Sequence, residues 1–93
     1  MRSLGIIGGG QLGMFICQAA KSLGIKTSIF SENQEFSAKK FCDQYFIGKF
    51  NDNEVLENFI NSADYFTIET ENIPYDILDK IASIKQIFPD PQI

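Results

Sequence analysis

A run of glycines near the N-terminus contains the residue types and spacing most suited to binding chemistry in this sequence. The segment Gly8-Gly9-Gly10-Gln11-Leu12-Gly13 fits the pattern G-x-G-x-x-G. In this pattern the first glycine permits a tight turn, the second lets a ligand approach the backbone, and the third lets a helix pack closely on a sheet. At a helix N-terminus the unpaired N–H groups favour an anion, usually a phosphate. The pattern therefore predicts a phosphate-binding loop, and a tight turn without a ligand is the alternative.

A second polar segment, Glu69-Thr70-Glu71-Asn72-Ile73-Pro74, contains two carboxylates. Glu69 and Glu71 are two residues apart, so they point to the same side of an extended chain. Glu71 is the better candidate for ligand binding, and a structural role is favoured for Glu69. The alternative for Glu71 is that it only stabilises the N-terminus of a helix beginning near Pro74, where a negative charge is favourable.

Short apolar runs alternate with amphipathic stretches along the chain, which predicts strands alternating with helices. The predicted strands are 3–7, 26–30, 44–47, 64–69 and 86–88; the predicted helices are 11–23, a short 36–42, one capped by Asn51 or Asp52, and one starting near Pro74. This order indicates a parallel sheet with helices on both faces and right-handed crossovers. The predicted architecture is a small doubly wound α/β domain.

Apolar residues recur at helical spacing in all three longer helices. They are Leu12, Phe15, Ile16, Ala19, Ala20 and Leu23 in the first, Val55, Leu56, Phe59 and Ile60 in the second, and Ile77, Leu78, Ile81 and Ile84 in the third. For a sheet of strand order 3-2-1-4-5, ligands bind outside the carboxyl ends of strands 1 and 4. Gln11 and Glu71 should therefore face one crevice, which suits a ligand with a phosphate at one end and an amine or hydroxyl at the other.

The composition excludes several classes of function. The 93 residues comprise 8 basic and 12 acidic side chains, a net charge of −4, without a basic run, which disfavours nucleic-acid binding. No apolar stretch approaches the length of a membrane span, and the N-terminus lacks a signal-peptide layout. The sequence contains no histidine. Cys17 and Cys42 are expected to be reduced thiols in a cytoplasmic protein, acting as small core residues rather than nucleophiles.

Two motifs together resemble one enzyme family more specifically than either does alone. Residues 6–14 and 19–24 resemble the opening of 5-(carboxyamino)imidazole ribonucleotide synthase, the ATPase subunit of phosphoribosylaminoimidazole carboxylase. Residues 67–74 are similar to the E-x-E-N-[VI]-P signature of that family, and Pro89-Asp90-Pro91 resembles the end of its first domain. The chain departs from the family at Ser31-Glu32, where Asp-Pro is common.

The resemblance implies a Rossmann-like pre-ATP-grasp domain over residues 1–93, with the ATP-grasp and C-terminal domains absent from this chain. The family converts aminoimidazole ribonucleotide, bicarbonate and ATP into the N-carboxylated nucleotide in purine biosynthesis, through a carboxyphosphate. ATP and Mg²⁺ would bind outside this chain, so it would hold no catalytic residue, cofactor or metal and would be catalytically incomplete alone. The implied substrate-binding residues are Gly10, Gln11, Leu12, Glu71 and Asn72, with Gly8, Gly9 and Gly13 shaping the loop.

Two alternatives remain at this stage. One is a nicotinamide-dinucleotide-binding Rossmann domain, favoured by the glycine pattern and by Glu32, which lies 19 residues after Gly13. Such a domain uses an acidic residue at the end of the second strand, where Ser31 is better placed than Glu32 but is a poor ribose ligand. The other alternative is a non-catalytic remnant that associates with itself, including as a homodimer, through apolar surface left exposed by missing domains.

Overall fold

The computed structural model describes residues 3–8, 10–68 and 75–88. The strands are β1 (Ser3–Ile7), β2 (Lys26–Ser31), β3 (Gln44–Ile47), β4 (Tyr65–Ile68) and β5 (Gln86–Phe88), and the helices are α1 (Gln11–Ser22), α2 (Asn53–Asn61) and α3 (Tyr75–Ala82), with one 3₁₀ turn at Ser37–Lys40. The alternating order predicted from the apolar pattern is confirmed.

All five strands lie parallel in one sheet of order β3-β2-β1-β4-β5. The central strand β1 pairs Ile7 with Phe30 of β2 on one side and with Ile68 of β4 on the other. The winding direction changes between β1 and β4, because the chain moves outward through β2 and β3 and then returns to the far side of β1. The predicted doubly wound topology is confirmed, and the winding reverses at β1 and β4, whose carboxyl ends are where sheets of this kind bind ligands.

Alternate residues of the central strands contribute to two apolar layers, one on each face of the sheet. On one face α2 and α3 cover Ile7, Phe30 and Phe66; on the other, α1 and the 3₁₀ turn cover Ile6 and Ile29. Leu56, Phe59 and Ile60 of α2 are buried as predicted, together with Ile81 of α3. The described α2 side of the sheet therefore carries an aromatic layer with three buried phenylalanines, Phe30, Phe59 and Phe66, whereas the buried cluster described on the α1 side contains no aromatic residue.

Close contact between β1 and the aromatic layer depends on Gly5. A Cβ atom at this position would overlap the Phe66 ring and lie 3.2 Å from Phe59 Cζ. The Phe59 and Phe66 rings themselves pack edge to face with centroids 5.2 Å apart. The missing side chain at Gly5 is what lets α2 pack this closely over the strand that leads to the glycine loop.

Helix α1 forms as predicted, but most of its large apolar side chains do not face the sheet. Its buried residues are Gly13, Cys17 and Ala20. Leu12, Phe15 and Leu23 are instead 56%, 52% and 74% exposed. Small side chains on the sheet-facing side let the helix axis approach the strands, so they displace the larger residues from the contact.

Several further details differ from the sequence prediction, among them the end of α1 at Ser22 instead of Leu23 and the start of β4 at Tyr65 instead of Asp64. The helix expected over 36–42 is only the 3₁₀ turn at Ser37–Lys40. Ile84 is 59% exposed, because α3 ends at Ala82 and the following turn directs residue 84 outward. Strand β2 continues one residue further than predicted, through Ser31. Three residues that bounded predicted elements lie outside the described residues: Glu69, Pro74 and Pro89.

Candidate functional site

The glycine loop leaves the sheet through a backbone conformation that favours glycine. Gly8 has φ of 109°, which side chains of L-residues rarely adopt. Its N–H donates to the Phe30 carbonyl at 2.9 Å, which fixes the start of the loop to the end of β2. Gly10 then returns to extended backbone as the N-cap of α1, and its carbonyl accepts from Met14 N–H at 3.0 Å. The strand–turn–helix context required by the glycine pattern is therefore present, while Gly9 lies outside the described residues.

The described residues provide the N-terminus of α1 with no capping side chain and no acidic residue in its first turn. Gly10 has no side chain to accept an N–H, and the first turn contains no Asp or Glu. First-turn N–H groups have no intrahelical acceptor, and they form the positive end of the helix dipole. Gln11 and Leu12 in this turn are exposed, whereas Gly13 is buried against the sheet. The local geometry suits an anion at the carboxyl edge of β1.

The other two helices begin with negative side chains. The Asp52 carboxylate caps α2 by accepting from Val55 N–H at 3.3 Å, and Glu54 lies in its first turn. This confirms Asp52 rather than Asn51 as the predicted cap. Helix α3 carries Asp76 in its first turn. Among the helices described, only α1 therefore begins without an acidic group.

The predicted partners of the loop, Glu71 and Asn72, lie within 69–74 and so outside the described residues. Strand β4 ends at Ile68, paired directly with Ile7 at the end of β1. The segment that contains Glu71 thus begins beside the strand that leads into the glycine loop. The pairing of Gln11 with Glu71 across a crevice stays a prediction.

The end of β2 does not offer the ribose ligand that a dinucleotide site requires. Ser31 is only 6% exposed. Its hydroxyl donates to the Asn33 carbonyl at 3.0 Å and accepts from the Asn33 N–H at 3.1 Å. Glu32 is exposed in this turn. Because the Ser31 hydroxyl is used within the turn, β2 ends without a polar side chain suited to binding ribose.

An open cavity of mixed polar and apolar lining lies at the same edge of the sheet and was not predicted from the sequence. It has a volume of about 330 Å³ between the loop after β3 and the start of α3. Its lining residues are Phe50, Asn51, Asn53, Asp76 and Ile77. The available signal was the concentration of Asn and Asp at the starts of α2 and α3, of which only Asn51 and Asp52 entered the prediction, as candidate helix caps.

Both cysteines are core residues, as predicted. Cys17 is fully buried and Cys42 partly so, and neither forms a disulfide. Burial raises the pKa of Cys17, and it raises the pKa of Cys42 from 9.0 to about 11. Both thiols are therefore protonated near neutral pH, which makes them poor nucleophiles.

The described residues form neither a metal site nor a membrane-spanning helix. Within 3–8, 10–68 and 75–88, no group of three or more Cys, Asp or Glu side chains is arranged to hold a metal ion. Over the same ranges, no helix is long and apolar enough to cross a membrane.

A doubly wound parallel sheet with a glycine loop opening its first helix defines a Rossmann-like α/β domain. Residues 1–93 match the family model of the ribonucleotide synthetase preATP-grasp domain, and the chain belongs to this family. The resemblance seen in the two sequence motifs is therefore confirmed over the whole chain.

Individual relatives agree with this assignment. The chain is 38% identical to phosphoribosylaminoimidazole carboxylase of Ogataea methanolica over 96 residues, covering 98% of the chain and 18% of that protein. It is 32% identical to N5-carboxyaminoimidazole ribonucleotide synthase of Brucella melitensis biotype 1 over 89 residues, covering 96% and 25%. Its structure matches N5-carboxyaminoimidazole synthetase from Staphylococcus aureus complexed with ADP, with a TM-score of 0.90, 27% identity, and coverage of 98% and 25%. The chain thus spans a quarter or less of these proteins.

Proposed function

We propose that this chain is the ribonucleotide-binding N-terminal domain of an ATP-dependent carbon–nitrogen ligase. The complete enzyme would carboxylate aminoimidazole ribonucleotide with bicarbonate in de novo purine biosynthesis. Family membership supports the reaction class, and the uncapped N-terminus of α1 is the structural observation that supports a phosphate-bearing ligand. Residues 1–93 would form one pre-ATP-grasp domain, with the ATP-grasp and C-terminal domains supplied outside this chain.

The proposed site has two walls. On the first, the substrate phosphate binds at the α1 N-terminus near Gly10, Gln11 and Leu12, and the loop glycines Gly8, Gly9 and Gly13 permit its close approach. On the second, Glu71 and Asn72 bind an amine or hydroxyl of the same ribonucleotide. The register of Ile7 with Ile68 supports this proposal, because it brings the chain segments leading to both walls side by side.

ATP and Mg²⁺ are proposed to bind the domains outside this chain. The Staphylococcus aureus relative, four times as long, was crystallised with ADP, which supports use of the nucleotide by the complete enzyme. ATP bound there supplies the phosphoryl group that activates bicarbonate. The residues of this chain bind the ribonucleotide and orient its amine toward the activated carbon; none of them is proposed as a catalytic residue.

The proposed compartment is the cytoplasm, supported by two cysteines that remain thiols within the core. A homodimer that buries the exposed Phe15 side chain of α1 is proposed as well. Sedimentation of the chain over a range of concentrations tests it, and a purely monomeric chain would contradict it.

The first test is calorimetric titration of the chain with aminoimidazole ribonucleotide, with NAD and ATP titrated in parallel. Selective binding of the ribonucleotide, even at millimolar affinity, is the expected result. Tighter binding of NAD would contradict the proposal and favour a dinucleotide-binding domain. If nothing binds, the titration is repeated with the chain fused to the remaining domains of the Staphylococcus aureus relative.

Variants then locate the site. Gln11→Ala and Glu71→Ala should each weaken ribonucleotide binding roughly tenfold or more, since a hydrogen bond to a charged group contributes about 1.5–3 kcal/mol. Gln18→Ala is the matched control, because Gln18 is also exposed on α1 but lies two turns from the loop. Unchanged affinity for both site variants in the fused enzyme would refute the proposed site.

A further inference from the structure

Helix α1 exposes an apolar stripe along one flank. Leu12, Ala19 and Leu23 define this stripe, and Leu12 and Leu23 are 56% and 74% exposed. The opposite flank is more polar, with Gln18 and Lys21. The helix contains no acidic residue. An exposed apolar stripe beside a polar flank is a feature of a surface that contacts another element.

Helix geometry places the stripe on the side of α1 that faces β4. The buried residues Gly13, Cys17 and Ala20 define the direction toward the sheet. Successive residues turn by about 100°, so Leu12, Ala19 and Leu23 lie to one side of that direction and Met14 to the other. Right-handed crossovers put β2 and β3 on the Met14 side and β4 and β5 on the stripe side. Accordingly, Met14 packs into the cluster that also contains Ala38 of the 3₁₀ turn.

The sheet beside this stripe lacks a covering helix within the described ranges. Phe66 of β4 packs under α2 and α3, so its neighbours Tyr65 and Thr67 point to the α1 face, where both are only partly buried. The described elements on the α1 face are α1 itself and the 3₁₀ turn, which contact each other on the β2 side. Parallel sheets are almost always covered on both faces, so this part of the sheet is suited to packing against a further element.

We infer that the stripe and the α1 face of β4 form a docking surface for one amphipathic helix of the polypeptide that completes the enzyme. The inference rests on the proposed function, in which further domains exist. Strands β4 and β5 lie on the stripe side of α1, and two strands at a spacing of about 4.8 Å form a strip about 10 Å wide. This width is about the diameter of one helix. Leu12 and Leu23 are eleven residues apart, which corresponds to about 16 Å or three helical turns.

The width of this part of the sheet and the length of the stripe match one helix, which is the occupant we assign to the docking surface. Relatives four to five times longer than the region matched here contain ample polypeptide to supply one helix. The bound helix would present apolar residues at i, i+3, i+4 and i+7 to the stripe.

Thiol accessibility tests this inference without relying on activity. Ala19→Cys and Leu23→Cys place thiols on the stripe, and Gln18→Cys places the control thiol on the polar flank. Background labelling by a maleimide is low, because Cys17 is buried and the pKa of Cys42 is raised to about 11. Each variant is labelled in the 93-residue chain and in a fusion where this chain replaces the matched N-terminal quarter of the Staphylococcus aureus synthetase.

We expect the thiols at positions 19 and 23 to react at least about tenfold more slowly in the fusion than in the chain alone, since burial suppresses thiol reactivity. The thiol at position 18 should react equally in both. If the thiols at positions 19 and 23 were labelled at the same rate in an ADP-binding fusion as in the 93-residue chain, the inference would be overturned. If the fusion does not bind ADP, the remaining segment of the synthetase is added in trans, and absence of protection there would overturn it equally.

Two outcomes separate this inference from its alternatives. Protection in the chain alone that increases with concentration, together with dimer mass in sedimentation, would assign the surface to a second copy and overturn the docked helix. Protection in a fusion that fails to bind the ribonucleotide would retain the docking surface while contradicting the proposed function.

Discussion

The N-termini of α1 and α2 lie at the same edge of the sheet but are stabilised in different ways. Helix α2 begins at Asp52, whose carboxylate accepts the Val55 N–H, and Glu54 adds a second negative charge. Helix α1 begins at Gly10, which has no side chain, and its first turn lacks an acidic residue. Within the described residues, a carboxylate caps α2, whereas no side chain caps α1 and its first turn carries no negative charge. This difference is why the candidate site is assigned to the first helix.

The largest expected effect concerns the strand leading to α1. Gly5→Val would force a side chain into the Phe66 ring and toward Phe59 of α2, so we expect a loss of about 3 kcal/mol or more in the free energy of unfolding. Urea denaturation measures it. Gly48→Ala is the control, because its Cβ would meet only the Val55 side chain at 3.2 Å and should cost under about 1 kcal/mol. Similar losses of unfolding free energy in the Gly5→Val and Gly48→Ala variants would show that β1 is not in close contact with α2.

A substitution that makes α1 resemble α2 should separate stability from binding. Gly10 has φ of −73° and ψ of −165°, which suits a capping side chain. Gly10→Asp should stabilise the free domain by a few tenths of a kcal/mol and weaken ribonucleotide binding by roughly tenfold or more through charge repulsion. Thermal unfolding and calorimetry measure the two effects. Gly10→Asn, which caps without a charge, is the control; an affinity unaffected by Gly10→Asp would place the phosphate elsewhere.

The reverse change at α2 should alter stability alone. Asp52→Ala removes the cap that accepts Val55 N–H and should reduce the free energy of unfolding by about 1 kcal/mol. Ribonucleotide affinity should not change, and Asp52→Asn should retain most of the stability. Urea denaturation and calorimetry on the same samples check both statements. Weaker ribonucleotide binding by the Asp52→Ala variant would extend the site to the α2 N-terminus. The N-termini of α1 and α2 would then not differ in their part in ligand binding.

The smallest expected effect involves the exposed ion pair between α2 and α3. Lys80 Nζ lies 3.9 Å from Glu57 Oε1, and the Glu57 side chain is 64% exposed. Glu57→Gln should therefore change the free energy of unfolding by less than about 0.5 kcal/mol. Denaturation at low and high salt measures this difference. A loss above 1 kcal/mol would mean that charge pairing, not the apolar layer, holds α3 in place.

Local pattern predicted the elements better than it predicted their faces. The order of strands and helices along the chain follows from the alternation of apolar patterns. The buried residues Leu56, Phe59 and Ile60 follow from helical periodicity, since α2 buries one continuous apolar face. In α1 the same periodicity does not identify the buried side, because Gly13 and Ala20 allow a close approach that Leu12 and Phe15 would prevent. The predicted burial of Ile84 is wrong for a different reason. Helix α3 ends at Ala82, before Ile84, and the end of a helix depends on turn geometry that periodicity does not contain.

The sequence by itself determined the doubly wound fold, the glycine loop and the family, because these depend on the order of apolar runs and on glycines at fixed spacing. Only the tertiary structure decided which side of α1 is exposed, because that depends on distances between residues far apart in the chain, and those distances exist only once the sheet has brought the strands together. The structure also showed that the Ser31 hydroxyl bonds to the backbone of Asn33 instead of facing a ligand. The reason there is local, because the backbone path of the turn after β2, which the apolar pattern does not contain, sets these bonds.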